Sequence, residues 1–151
     1  MDKHIFPEKK GFPIQKKYVT LQEARTHLPR VLGILDRLIK LNETLFLLSE
    51  VEIEFDDEFR GNLYDITLSK KFHKLSTQFF TYLQQLHNMS CIVKDIEIGL
   101  IDFYALHEGR EIFLCYRYGE ADITHWHEIG DGYTGRQSVS SLEEFHRNTP
   151  Q

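Results

Sequence analysis

Hydrophobic residues in the first third of the chain recur at alternating steps of three and four. Leu21, Ala24, Leu28, Val31, Leu35, Leu38, Asn42 and Leu45 fall on one stripe. Such a heptad seam predicts a long helix that packs against another helix. Thr20 followed by Glu23 reads as a capping box that satisfies the first free amides of that helix. Pro29 interrupts the pattern. Proline suits the first turn of a helix but not its interior, so a short helix near 21–27 followed by a kink or restart is expected. Asn42 puts one polar group on the seam, a device that sets register or oligomeric state at some cost in stability.

A second helical stripe carries Phe72, Leu75, Phe79, Leu83 and Leu86, with Thr67 or Ser69 as its cap. Two helices, about 20–48 and 68–89, with matching seams predict an antiparallel hairpin. The connection at about 50–66 is long for such a hairpin. Within it, "VEIEF" fits either a short strand or an extension of the helix. After Met89 the period changes to two. "CIVKDIEIG", "LIDFYAL", "EIFLCYRYG" and "ITHWHEI" read as strands over about 91–128. "HEGRE" and "YGEAD" read as turns between them, Gly109 supplying the unusual backbone angle of the first. The expected fold is α+β: a long antiparallel helical hairpin, then a three- to four-stranded antiparallel β meander. Residues 1–17 are expected as a basic arm, partly docked by Phe6 and Phe12. Residues 18–137 are expected as a single domain, and 138–151 as a tail with a weak helical turn at "SLEEFH".

Composition narrows the classes. A chain of 151 residues suits one domain and can bury enough surface to fold without a metal or disulfide. Eleven Phe and seven Tyr argue against wholesale disorder. A net charge of −5 argues against nucleic acid as a partner, since that grip needs a basic face. Charge is uneven, however. Lys3, Lys9, Lys10, Lys16 and Lys17 make the arm basic, and Glu50, Glu52, Glu54, Asp56, Asp57 and Glu58 make a mid-chain segment acidic. Both read as solvated surface before they read as binding patches. Cys91 and Cys115 sit in apolar runs and form no C-x-x-C pair, so buried free thiols are expected. The first twenty residues lack the apolar core of a secretory leader, and no run is long enough to span a membrane. The expectation is a cytoplasmic protein without membrane association.

Candidate chemistry concentrates in "ITHWHEIGDGYTGRQ", Ile123 to Gln137. His125 and His127 are two apart, so on a strand both imidazoles share a face and can reach one divalent transition metal ion. Glu128, Asp131 and Asp102 are candidates to complete that shell. The competing reading makes His127 a partly buried, hydrogen-bonded ring and His125 a surface residue. Gly130, Gly132 and Gly135 allow tight turns whose amides can face a ligand, and Arg136 offers a planar fork for carboxylate or phosphate. The structural alternative pairs Arg136 with Asp102 or Glu120. Asp102 lies in an otherwise apolar run and needs a partner. Arg110, Arg117 and Arg136 are the candidates. No Ser-His-Asp or Cys-His arrangement stands out. Cys115 is a conceivable nucleophile near His127, but its neighbours favour a plain core thiol.

These residues also carry a resemblance. "VTLQEARTHLPRVLGIL", then "GLIDF" at Gly99 to Phe103, "GREI" at Gly109 to Ile112, "LCYRYGE" at Leu114 to Glu120, Trp126–His127, and "GYTGR" at Gly132 to Arg136 are similar to the bacterial family catalogued as domain of unknown function 2203. The similarity covers about 18–48 and 90–137. Tyr116 stands where that family usually shows Trp, and His125 is outside its pattern. The resemblance supports Asp102, Glu120, His127 and Arg136 as site positions and implies no activity.

Two functions are therefore expected. The first is a small interaction or regulatory module, a homodimer joined through its helical seam or the binder of another protein. The second is a metal- or anion-binding, enzyme-like protein. In that reading His127 is the acid/base, Asp102 orients it, and Arg136, Gly132, Gly135, Glu120 and Arg117 bind the ligand. His125, His127 and Glu128 are the candidate metal ligands.

Overall fold

The computed structural model describes residues 16–55 and 63–142. The basic arm before Lys16, the acidic stretch at 56–62 and most of "SLEEFH" lie outside the described residues. The described elements are helix α1 (Leu21–Phe55), helix α2 (Leu63–Asn88), and strands β1 (Cys91–Asp95), β2 (Leu100–His107), β3 (Arg110–Arg117), β4 (His125–Glu128) and β5 (Gln137–Ser138). A short 3-10 turn, Tyr133–Gly135, precedes β5. The strands pair in chain order, each antiparallel to the next. The fold is α+β, a helix pair followed by an antiparallel meander.

Alternation along the strands gives the sheet two different faces. Phe103, Leu114 and Trp126 lie side by side across β2, β3 and β4, and Ile101, Ala105, Ile112 and Tyr116 share their face. These residues form one core with Ala24, Leu28, Val31, Leu35 and Leu38 of α1 and Leu86 of α2. The seam of α1 is thus covered by the chain's own sheet and second helix. Burying each such side chain contributes about 1.5–3 kcal/mol, so the stripe holds the helix in place. At the outer end of the hairpin cover is lost: Phe46 and Leu47 are 61% and 62% exposed.

That packing overrides the break expected at Pro29. α1 runs for 35 residues with Pro29 inside it. The proline sits on the solvent side, where its ring displaces no core residue. The loss is one backbone bond, to the Arg25 carbonyl, while buried Leu28 and Val31 flank it and hold both halves on the sheet. "VEIEF" is the helical extension of α1. Half of the expected box forms: the Glu23 amide donates to Thr20 Oγ1 at 3.1 Å, while the Glu23 carboxylate accepts from that hydroxyl at 3.2 Å rather than from the Thr20 amide.

Three further details differ from the sequence pattern. β1 ends at Asp95 rather than running on to Gly99, because Asp95 Oδ1 accepts the Glu97 amide at 3.0 Å and turns the chain. A fifth strand, only two residues long, pairs with β4 and is too short to show a period. Val139 and Leu142, within the expected tail, are buried in the core. The turn between β2 and β3 is a two-residue hairpin in which Glu108 and Gly109 both have positive φ, 52° and 73°, the type I′ geometry that suits the twist of paired strands.

Candidate functional site

The sheet face turned away from the helices carries the polar residues. Register places Asp102 opposite Cys115 and Cys115 opposite His125. One step along, Tyr104, Phe113 and His127 lie in line. An outward face of an antiparallel sheet is commonly wet, yet Asp102 is 1% and His127 3% exposed, and Cys115 is fully buried. Aromatic rings and cations crowd around them. The Phe113 ring lies 5.4 Å from that of His127 and 5.2 Å from that of Tyr104. Lys94 Nζ stands 4.5 Å over the Phe113 ring, and Lys16 Nζ 5.3 Å over Tyr104.

His127 is held from both sides. Its Nδ1 lies 2.7 Å from the Glu128 carbonyl oxygen, and its Nε2 lies 3.2 and 3.1 Å from Asp102 Oδ1 and Oδ2. A carbonyl only accepts, so Nδ1 carries a hydrogen. In the neutral ring Nε2 is then an acceptor facing the two acceptors of a carboxylate. Something positive, a proton or a metal ion, must sit between them. Cys115 completes the group: the ligand atoms of Asp102, Cys115 and His127 all lie within 4.8 Å of one another. Burial pushes the Asp102 carboxyl above its ordinary range, against the opposing pull of His127 and the Cys115 thiol. Burial, aided by the Asp102 charge, pushes the Cys115 thiol up to about 12. Without a metal, Cys115 is therefore a protonated thiol and a poor nucleophile.

A second cluster anchors the segment after β4. Arg136 Nη2 donates to Glu120 Oε1 and Oε2 at 2.7 and 2.9 Å, and Glu120 Oε2 also accepts the Arg117 amide at 2.9 Å. The Arg136 guanidinium stacks 4.7 Å from the centre of the Tyr133 ring, whose hydroxyl accepts from Arg117 Nη1 at 3.4 Å. The Arg136 charge pulls against the upward shift of the Cys115 thiol, though Arg136 makes its hydrogen bonds to Glu120 rather than to the triad.

The structure thus brings Asp102 and His127 together and sets Arg136 near them, but the expected metal set does not assemble. His125 shares the face of His127 but pairs across to Cys115, one step along the strand, and its Nδ1 engages Thr124 Oγ1 at 2.9 Å. Glu128 points to the opposite side from His127 and is held by Arg110 Nη2 at 2.7 Å. Asp131 is exposed. The partner of Asp102 is His127, not Arg110, Arg117 or Arg136, because β2 and β4 flank β3 and present the two side chains on one face. Part of the glycine loop's amide set is used within the loop itself. The Gly135 and Arg136 amides donate to Gly132 and Tyr133 carbonyls within the 3-10 turn. Gly132 supplies a φ of 63°, and Gly135 is required because a Cβ there would collide with Asp131. Both nitrogens of His127 are engaged and the ring is buried.

Cys115 is the member that residue-by-residue reading undervalued. The signal lies in the hairpin turn: with a two-residue loop at Glu108–Gly109, counting back five positions on each strand from the His107–Arg110 pair sets Asp102 opposite Cys115.

The family described as "Uncharacterized conserved protein (DUF2203)" matches residues 17–139, which include every residue of both clusters. No curated protein and no solved structure matches the chain.

Proposed function

The chain belongs to the DUF2203 family, and from the geometry of its buried triad we propose that it binds a divalent transition metal ion between Asp102, Cys115 and His127. The observation that carries this reading is the meeting of three different ligand atoms within 4.8 Å of one another on a buried sheet face. A tetrahedral ion with bonds of about 2.0–2.3 Å keeps its ligands roughly 3.3–3.8 Å apart, so a small rearrangement of side chains already within 4.8 Å suffices. The Nδ1–H bond to the Glu128 carbonyl is the outer contact that fixes a histidine with Nε2 turned to a metal. One imidazole, one thiolate and one carboxylate suit zinc, and three protein ligands leave its fourth position for water or a substrate. Binding removes the thiol proton and the bridging proton, and the ion takes the place between Asp102 and His127 that needs a positive charge.

The test is metal uptake by the chelator-stripped full chain. One cobalt(II) or zinc(II) ion per chain is expected, with a cobalt–thiolate absorption band in the near ultraviolet. Cys115→Ala should abolish both, and His125→Ala should leave both intact. Uptake that survives Cys115→Ala but not His125→Ala would return the site to the H-x-H pair. No uptake at all removes the proposal.

A second reading keeps the self-associating module. Its support is the exposure of Phe46 and Leu47 at the outer end of the hairpin, rather than the inner seam, which the chain covers itself. A dimeric mass by light scattering that becomes monomeric in Phe46→Glu would support it. A monomeric mass at high concentration would dismiss it.

A further inference from the structure

The fourth position of such an ion would face a cationic neighbour. Arg136 Nε is buried and has no hydrogen-bond partner among the described residues. An orphaned buried donor costs about 1–3 kcal/mol, and native proteins rarely leave one without a purpose. The guanidinium is not loose. Glu120 holds Nη2 through both carboxylate oxygens, and the Tyr133 ring covers its face. Arg136 has extended backbone angles, φ −60° and ψ 135°, and leads directly into β5. Since Gln137 pairs with Trp126, which points to the helices, alternation sends Arg136 to the face of Cys115 and His127. A rigid cation with one unused donor therefore lies on the sheet face that carries three ligands leaving a metal one open position.

We propose that this position takes a small oxyanion, a carboxylate or a phosphate, with one oxygen on the metal and another accepting from Arg136 Nε. This inference rests on the metal reading above. A metal ion and a guanidinium attract such a group from two sides, and both are shielded from water, where their attraction is strongest. Ordered cations beside an open metal position select an anionic ligand over neutral water. The two sources of such a group differ in shape. A planar carboxylate matches the plane of the guanidinium, whereas a tetrahedral phosphate needs more depth.

The experiment uses the full chain loaded with cobalt(II), whose visible bands report the fourth ligand and whose thiolate band reports the triad. Acetate and inorganic phosphate are titrated separately. The expected result is a saturable change in the visible bands with one of the two, the responding anion naming the class. Arg136→Gln should keep the thiolate band and weaken the anion at least tenfold. Arg37→Gln, an exposed cation on α1, should change neither. A thiolate band with no response to either anion in the unaltered chain overturns this inference and leaves the metal site standing. Equal anion affinity in Arg136→Gln overturns it too. Absence of the thiolate band overturns the metal reading itself.

Discussion

Consider His127→Ala in the metal-free chain. Asp102 loses both of its contacts to Nε2, at 3.1 and 3.2 Å, while remaining a carboxyl that is 1% exposed. The Cys115 sulfur lies within 4.8 Å of it, and a thiol is at best a weak donor. Breaking a buried pair from one side costs about 3–5 kcal/mol, because the other charge is left uncompensated. At about 2–4 °C per kcal/mol for a domain of this size, the melting temperature should fall by roughly 6–20 °C. Asp102→Asn is the contrasting change. The amide has the same shape, carries no charge and donates N–H to Nε2, so stability should change by no more than about 1 kcal/mol.

The two variants also separate by pH. The Asp102 carboxyl is raised in the folded chain above its ordinary value of 3.8. The folded state therefore binds this proton more tightly than the unfolded state, and ionised Asp102 opposes folding at neutral pH. That penalty is lifted as the pH falls through the raised value towards the ordinary one. Without His127 the main opposing influence is gone, so the carboxyl rises further and the penalty grows. The deficit of His127→Ala should thus be largest near neutrality and shrink towards about pH 4. Urea denaturation with chelator present measures it at each pH. Equal losses in His127→Ala and Asp102→Asn, or a deficit that does not change with pH, would refute the account of a buried carboxyl neutralised by His127.

Zinc at a hundredfold excess over its dissociation constant should stabilise the chain by about 2.7 kcal/mol, read as a thermal shift. Cys115→Ala should remove that shift, and a retained shift would place the ion elsewhere. Pro29→Ala restores a donor to the Arg25 carbonyl on an exposed helix surface. It should stabilise by about 2 kcal/mol, the roughly 3 kcal/mol of helix propensity less the lost chain stiffness. A loss in urea midpoint would show instead that α1 needs a proline bend to follow the sheet. Glu108→Asn places the preferred residue at a φ of 52° in the hairpin turn. It should raise stability by about 0.5–1 kcal/mol, and a lower melting temperature would mean that the ion pair of Glu108 with Arg110 outweighs backbone strain.

The amino-acid sequence by itself determined the order of elements and the inward stripe of each helix. A period of 3.6 or 2 is set by local geometry and needs no partner to be read. The same periodicity put Trp126 in the core and His127 on the other face, and the turn residues at Glu108–Gly109 carried the β2–β3 register. What it did not determine was which faces meet. The α1 seam reads equally as a contact between chains or within one, and only the folded sheet shows it covered by Ile101, Phe103 and Leu114 of the same chain. Pro29 reads as a break until packing on both sides holds the helix through it. His125 and His127 look like a ligand pair because two-residue spacing is visible in one dimension. Asp102, Cys115 and His127 come from three strands, 25 positions apart at the widest, and their meeting depends on two hairpin registers at once. Long-range pairing of that kind belongs to tertiary structure, because no local propensity encodes which strand lies beside which.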